Sequence, residues 1–363
     1  MPRHIFLTGF PGFIASQLVD RLVRIDDSLS FTFLIQEPMR SAAEASLERL
    51  DAEHNGLAER CTLIPGDITQ IYLGMDEATY EREAARTTHV WHLAAVYDLS
   101  VPEPIAYRVN VIGTANVLDF CEEAEHLDRL DYVSTCYVSG ARTGTILESE
   151  LDEGQPFKNH YESTKCWAEM EVRRRMYRIP TCIHRPAIVV GDSRTGQTDK
   201  YDGPYFILLL FMRMPSWLPL PNLGDGDVKV NIVPVDFVVD AMAALAFDDE
   251  AIDQTVALAD PNPHTGREIV ATIQRELGIR QVGDVPTSLI DKALSVDRVR
   301  QLVKIPKEAV VYFRHEVDYD TSVAEHLLAK SGVRCPDFLE SLPTFIDYVK
   351  RNPDKAFLDG REF

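Results

Sequence analysis

Short apolar runs alternate with segments of helical periodicity through the first half of this chain. His4–Leu7, Phe31–Ile35, Cys61–Pro65, His89–Leu93, Arg129–Ser134 and Thr181–Val190 read as strands. Between them, Gly12–Ile25, Ala42–Leu57, Glu77–Thr87, Tyr107–Glu125 and Tyr161–Met176 carry helical spacing. In the first of these helices Ile14, Leu18, Leu22 and Ile25 share one face. Strand–helix alternation with short connectors predicts parallel strands joined by right-handed crossovers, an α/β doubly wound sheet.

After Gly191 the pattern changes. Residues 192–227 are rich in Gly, Pro and Asp and contain the most apolar stretch, Tyr205–Leu223. Arg213, Pro215, Pro219 and Pro221 interrupt that stretch, which argues against a transmembrane helix. Val235–Phe247 and Thr265–Leu277 then read as helices around a short strand, Thr255–Ala259. The expected layout is a large domain over 1–191. A smaller lobe combines 192–230 with 281–363, and 231–280 returns to the large domain.

Composition narrows the partners. The 363 residues carry a formal net charge of -20, which argues against nucleic acid. Six cysteines are scattered through apolar segments, with no C-x-x-C pair. A metal site is therefore not expected, and a reduced, cytoplasmic setting is. The N-terminus reads as a strand entering a glycine turn, not as a signal peptide.

That turn is Thr8-Gly9-Phe10-Pro11-Gly12-Phe13-Ile14-Ala15, directly after the first strand and opening a helix. Gly9 permits the tight turn, and Gly12 lets backbone approach a pyrophosphate lying on the helix N-terminus. Thr8, Pro11, Phe13 and Ile14 complete the candidate cradle for a dinucleotide, which makes the sheet Rossmann-type. Past the second strand, Gln36 and Arg40 face the question of the ribose 2′ substituent. A carboxylate there would suit the diol of NAD, and a cation the phosphate of NADP. Gln36 is neither, so NADP(H) is favoured through Arg40 while NAD(H) stays open. Asp67 and Ile68, after the third strand, are candidates for the adenine. An N-cap role for Asp67 competes with that reading. Leu93, Ala94 and Ala95 would let the cofactor lie along the sheet edge.

Tyr161 and Lys165 are four residues apart and share a helix face. A free tyrosine has a pKa of about 10, which a nearby ammonium lowers. The pair could then exchange a proton with a carbonyl oxygen. Spacing alone is weak evidence. Its weight comes from Ser134 and Thr135, hydroxyls at the carboxyl edge of the sheet, where α/β ligands bind.

The glycine turn, the Ser-Thr segment and Tyr-x-x-x-Lys, in that order, resemble the extended short-chain dehydrogenase/reductases. The resemblance covers nearly the whole chain, including Asn110 in Val109–Thr114 and Arg185-Pro186. Thr8–Ala15, Leu47–Leu50, Ser134–Gly140, Gly191–Gly196 and Val233–Asp236 are similar to the fatty acyl-CoA reductase, thioester reductase or "male sterility" branch. The resemblance implies roles. Tyr161 is the general acid, Lys165 its electrostatic partner and ribose ligand, and Thr135 the donor to the carbonyl oxygen. Asn110 supports the lysine. Pro186 shapes the nicotinamide pocket, and Ser134 and Ile188 are further candidate cofactor contacts. Tyr97, Cys136 and Tyr205 are candidate substrate contacts. One departure is Gln36, where NADP-dependent relatives carry arginine.

The expected activity is NAD(P)H-dependent reduction of a hydrophobic carbonyl, an acyl thioester on CoA or a carrier protein, or an aldehyde. Tyr205, Phe206, Phe211 and Trp217 are candidates for a greasy channel, with core packing as the competing reading. Alternatives are an alcohol dehydrogenase or ketone reductase, and a sugar-nucleotide epimerase or dehydratase. Arg194, Lys200, Arg213 and Lys229 could serve a nucleotide diphosphate but form no cluster. A non-catalytic scaffold would usually have lost Tyr161 or Lys165. Helices 107–125 and 161–176 pair dimers in this superfamily, so a homodimer is also expected.

Overall fold

In a computed structural model, residues 2–199, 201, 203–213, 220–223, 227–285 and 315–353 are described. Seven parallel strands form the central sheet. They are β1 (His4–Thr8), β2 (Ser30–Ile35), β3 (Cys61–Pro65), β4 (His89–His92), β5 (Arg129–Val133), β7 (Thr181–Pro186) and β11 (Thr255–Leu258). Their order is β11-β7-β5-β4-β1-β2-β3. The chain reverses direction of build between β1 and β4, the switch point beyond whose carboxyl ends such sheets bind ligands.

Both faces of the sheet are buried, which is why its strands read as apolar runs rather than alternations. Ile5 and Leu7 point into one layer with α1 (Phe13–Ile25), α2 (Arg40–Glu53) and α8 (Val235–Leu245). Phe6 points into the other with α3 (Glu77–Arg86), α5 (Gly113–Glu123) and α6 (His160–Arg175). The expected strands and helices of the first half are all present, most within two residues of their expected ends.

Two expectations need correction. Thr181–Val190 is not one strand. The β7–β11 ladder closes at Pro186↔Leu258, and Ile188–Val190 leaves as β8 to pair with β10 (Ile232–Pro234). Pro186 has no N–H to continue the ladder, and Ile188 N–H turns to Asn231 O at 3.2 Å. Nor is Tyr107–Glu125 a regular α-helix. It begins earlier, at α4 (Glu103–Ala106), and widens into π-type turns over Tyr107–Ile112 before α5.

A second apolar cluster joins α7 (Tyr205–Arg213), α9 (Gly266–Glu276) and a helix over Phe338–Arg351. Tyr205, Leu208, Phe211, Ile273, Phe338 and Phe345 are its centre. The apolar stretch is thus a helix followed by a short strand, Leu220–Leu223, paired with Gln281–Val285. No helix among the described residues is long and apolar enough to cross a membrane.

Candidate active site

The glycine turn is closed to side chains. Gly9 adopts φ of +95°, and a Cβ there would lie 2.8 Å from Ala94 N and 2.9 Å from the Leu93 carbonyl carbon. A Cβ on Gly12 would lie 2.7 Å from Gly9 O. That oxygen accepts the Gly12 N–H at 2.8 Å. The Phe10–Pro11 peptide between them is cis. No side chain caps α1, so its first N–H groups face outward beside exposed Gly12. Backbone donors at a helix N-terminus, with space held open by two glycines, fit a pyrophosphate. Pro11, Phe13 and Ile14 are half-buried around the turn, and Ala15 is buried beneath it.

Further along the crevice, Gln36 is exposed just past β2. Arg40 is held by Glu37 through two bonds, Nε to Oε1 at 2.8 Å and Nη2 to Oε2 at 3.0 Å. The Asp67 carboxylate accepts the Thr69 N–H at 2.9 Å, a local turn contact. Ile68 is buried, and its carbonyl accepts from Asn116 Nδ2 at 2.7 Å. Leu93, Ala94 and Ala95 leave β4 beside the turn, partly buried.

Asn159 caps α6 by accepting the Glu162 N–H at 2.9 Å, which fixes the start of the helix bearing Tyr161 and Lys165. Burial pushes the Tyr161 phenol up to about 12, and a hydrogen bond with the Thr135 hydroxyl opposes the rise. The structure therefore differs from the expected lysine-lowered tyrosine. Lys165 Nζ points to β5, donating to Tyr132 Oη and Val133 O, both at 2.8 Å. Burial pushes this ammonium down to about 7, against the pull of Glu169.

Thr135 and Ser134 are separated by their partners. Ser134 Oγ donates to Glu169 Oε2 at 2.6 Å, inside a buried pair in which Arg185 Nη2 holds Glu169 Oε1 at 2.6 Å. Thr135 lies beside Tyr161, its hydroxyl donating to Pro186 O at 3.3 Å and accepting from Tyr137 N–H at 3.2 Å. Asn110 is fully committed. Its Oδ1 accepts Val96 N–H at 2.9 Å, and its Nδ2 donates to Val96 O and Thr164 Oγ1, both at 3.0 Å. It fixes the segment after Ala95 against α6, at the widened turns.

The candidate substrate contacts are not brought together. Tyr97 is exposed beyond Val96. Cys136 is buried, with its thiol donating to Arg185 O at 3.0 Å. Tyr205 is buried in the second cluster, and its hydroxyl accepts Gly191 N–H at 3.0 Å. Core packing accounts for Tyr205 and Phe211. Trp217 and Lys200 lie outside the described residues, and Ile188 is half-buried at the start of β8. Asp131, Cys182 and His184 bring metal-ligand atom types within 4.8 Å. Arg129 and His184 already bond the Asp131 carboxylate, at 2.9 to 3.0 Å.

Two polar residues that the motifs do not flag, His92 and Tyr132, join this site beside Thr8 of the glycine turn. Thr8, His92 and Tyr132 sit in register across β1, β4 and β5. Thr8 Oγ1 bonds His92 Nδ1 at 2.7 Å, and His92 Nε2 bonds Thr114 Oγ1 at 3.0 Å. A histidine and a tyrosine at the carboxyl ends of otherwise apolar strands were the readable signal.

Sheet order, glycine turn and Tyr-x-x-x-Lys helix together define an extended short-chain dehydrogenase/reductase fold with a nicotinamide dinucleotide site. A family model described as male sterility protein matches residues 7–242, and the chain belongs to that family. Aldehyde reductase lnbA of Aspergillus flavus is 26% identical over 84% of this chain, which spans 31% of that relative. Fatty acyl-CoA reductase wat of Drosophila melanogaster is 28% identical over 68% of this chain, spanning 54% of the relative. The terminal R domain from the myxalamid PKS-NRPS pathway superposes with a TM-score of 0.81 at 25% identity, covering 99% of this chain and 92% of its own. A UDP-glucuronic acid 4-epimerase from Bacillus cereus shares the fold, with a TM-score of 0.67 at 19% identity over 97% of this chain and 98% of its own.

Proposed function

We propose that this chain reduces a hydrophobic carbonyl substrate, an acyl thioester on CoA or a carrier protein or an aldehyde, with NAD(P)H. The observation that carries this reading is the juxtaposition of the Tyr161 phenol with the Thr135 hydroxyl, just past the carboxyl end of β5. The names of the aldehyde reductase, the fatty acyl-CoA reductase and the terminal R domain support the same substrate class. When bound, the dinucleotide supplies a hydride to the carbonyl carbon.

The chain's own residues supply the rest. Gly9, Gly12 and the N-terminus of α1 hold the pyrophosphate. Lys165 donates to the ribose beside the nicotinamide. Thr135 donates to the carbonyl oxygen, and Tyr161 gives up its proton as negative charge develops there. With an aldehyde the product is an alcohol. With a thioester, the carbon–sulfur bond breaks and the proton ends on sulfur, giving an aldehyde and a free thiol. We assign residues 1–191 to dinucleotide binding and 192–230 with 281–363 to the substrate lobe. In residues 231–280, β11 serves the sheet and α9 packs on α7. NADP(H) is the favoured cofactor, because no carboxylate directly follows β2 at Gln36 and Arg40 stands close by. A 2′-phosphate would compete with Glu37 for that guanidinium.

The test is oxidation of NADPH or NADH, followed against acyl-CoAs, aldehydes and ketones. Turnover of thioesters or aldehydes is expected. Tyr161→Phe should lower kcat by roughly 10²–10⁴-fold, the usual range for a positioned general acid, with dinucleotide affinity kept. Turnover of ketones alone, or a Tyr161→Phe protein with wild-type kcat, rejects the assignment.

A further inference from the structure

An ammonium has three N–H donors. In Lys165 two of them are already spent on β5, on Tyr132 Oη and Val133 O. The direction of the third is therefore set before any ligand binds. Val133 offers a backbone carbonyl, which any residue would provide. Tyr132 offers a side-chain hydroxyl, buried and reachable only because β5 carries a tyrosine at this position.

The proton order behind that hydroxyl is determined. Thr114 Oγ1 has one hydrogen, and it donates to Asn110 O at 2.6 Å. Its lone pairs must therefore receive hydrogens. One comes from His92 Nε2 at 3.0 Å, which makes His92 Nδ1 a bare acceptor. Thr8 Oγ1 then donates to Nδ1 at 2.7 Å and receives Ala94 N–H at 3.3 Å. Burial and the Lys165 charge both push His92 down, to about 3, so its ring stays neutral. The Thr114 hydroxyl, its hydrogen spent on Asn110 O, neighbours the Tyr132 phenol. The Tyr132 oxygen itself accepts the Lys165 N–H at 2.8 Å.

We propose that Tyr132 is a positioning residue: its hydroxyl, together with the Val133 carbonyl, holds the charged Lys165 with one N–H left for the cofactor ribose. The inference rests on the assignment of Lys165 as ribose ligand. The charged and titratable groups facing this ammonium are Glu169 on α6, Tyr132 on β5 and His92 on β4, with Tyr161 one turn earlier on α6. Only Glu169 carries charge at neutral pH, and only it favours the ammonium from a distance.

Tyr132→Phe keeps the ring that packs 4.4 Å beneath Nζ and removes only the hydroxyl. The experiment titrates reduced dinucleotide by fluorescence between pH 5.5 and 9, in wild type and variant. Wild-type affinity should fall as pH rises through the Lys165 transition. In Tyr132→Phe that fall should move about one pH unit lower, equivalent to a tenfold change in proton affinity. The high-pH limb of kcat/KM should move with it. Site-specific 3,5-difluorotyrosine at position 132, whose oxygen is a weaker acceptor, should shift the same limb in the same direction by less. It serves as the test if Tyr132→Phe fails to fold. Superimposable pH profiles, or a loss of affinity equal at every pH, would overturn the proposal. A wild type that binds dinucleotide with this pH dependence but reduces no carbonyl would reject the functional reading and leave the Tyr132 inference standing.

Discussion

Gly9 shows how much a single methyl group can decide. Its φ of +95° is outside the range that L side chains adopt readily, and an added Cβ would press on the Leu93–Ala94 backbone. Backbone cannot swing aside as a flexible side chain can. Gly56 also has a positive φ, +78°, but nothing lies within 4 Å of its Cβ position. The two alanine variants therefore separate dihedral strain from lost space. Gly56→Ala should cost about 1 kcal/mol and leave dinucleotide affinity unchanged. Gly9→Ala should cost more and weaken binding at least tenfold, because relief requires moving the cradle itself. Thermal unfolding and fluorescence titration measure both. Equal affinities in the two variants would reject the cradle.

At the scale of elements, the widened turns over Tyr107–Ile112 place Asn110 where one amide bonds both backbone groups of Val96. Insertions of this kind recur at functional sites because they redirect one side chain without ending the helix. Asn110→Ala should leave the Val96 N–H and C=O and the Thr164 hydroxyl short of partners. A buried polar group without a partner costs about 1–3 kcal/mol. We expect a clear drop in urea unfolding free energy and, because Val96 follows Ala94 and Ala95, weaker dinucleotide binding as well. Stability falling with affinity unchanged would confine Asn110 to a structural role. The same elements show what sequence could reveal. Strands buried on both faces read as unbroken apolar runs, and a glycine turn is local, so the sheet and the cradle were legible. The break at Pro186 was not, because it depends on Asn231 O, just before β10 and more than forty residues away. Thr8, His92 and Tyr132 were invisible as a group for the same reason. Only the register of three strands makes them neighbours.

At the scale of the whole molecule, one carboxyl group ties distant parts together. Glu148 accepts N–H groups from Ala257 in β11 at 2.7 Å, and from Val323 at 2.6 Å and Ala324 at 3.2 Å. Val323 and Ala324 open the helix Ser322–Leu328, so this side chain fastens the C-terminal segment to the edge of the large sheet. Three donors favour the carboxylate, yet burial outweighs them and pushes Glu148 up to about 7. A free glutamate titrates near 4.3. The folded state thus binds this proton more tightly than the unfolded state does. The stability that Glu148 confers is complete below about pH 4.3 and is lost as pH rises through about 7. Glu148→Gln mimics the protonated form at every pH. Relative to the variant, wild type should lose stability between about pH 4.5 and 7.5, with a slope reaching at most one proton. His4 and His92, held down to about 4 and about 3, act in the opposite sense over the same range. They are present in both proteins and cancel in the difference. Urea unfolding at pH 5, 6.5 and 8 gives that difference directly. Parallel profiles would mean that the three N–H bonds, not burial, govern Glu148, and that the C-terminal segment is fastened by a carboxylate at every pH.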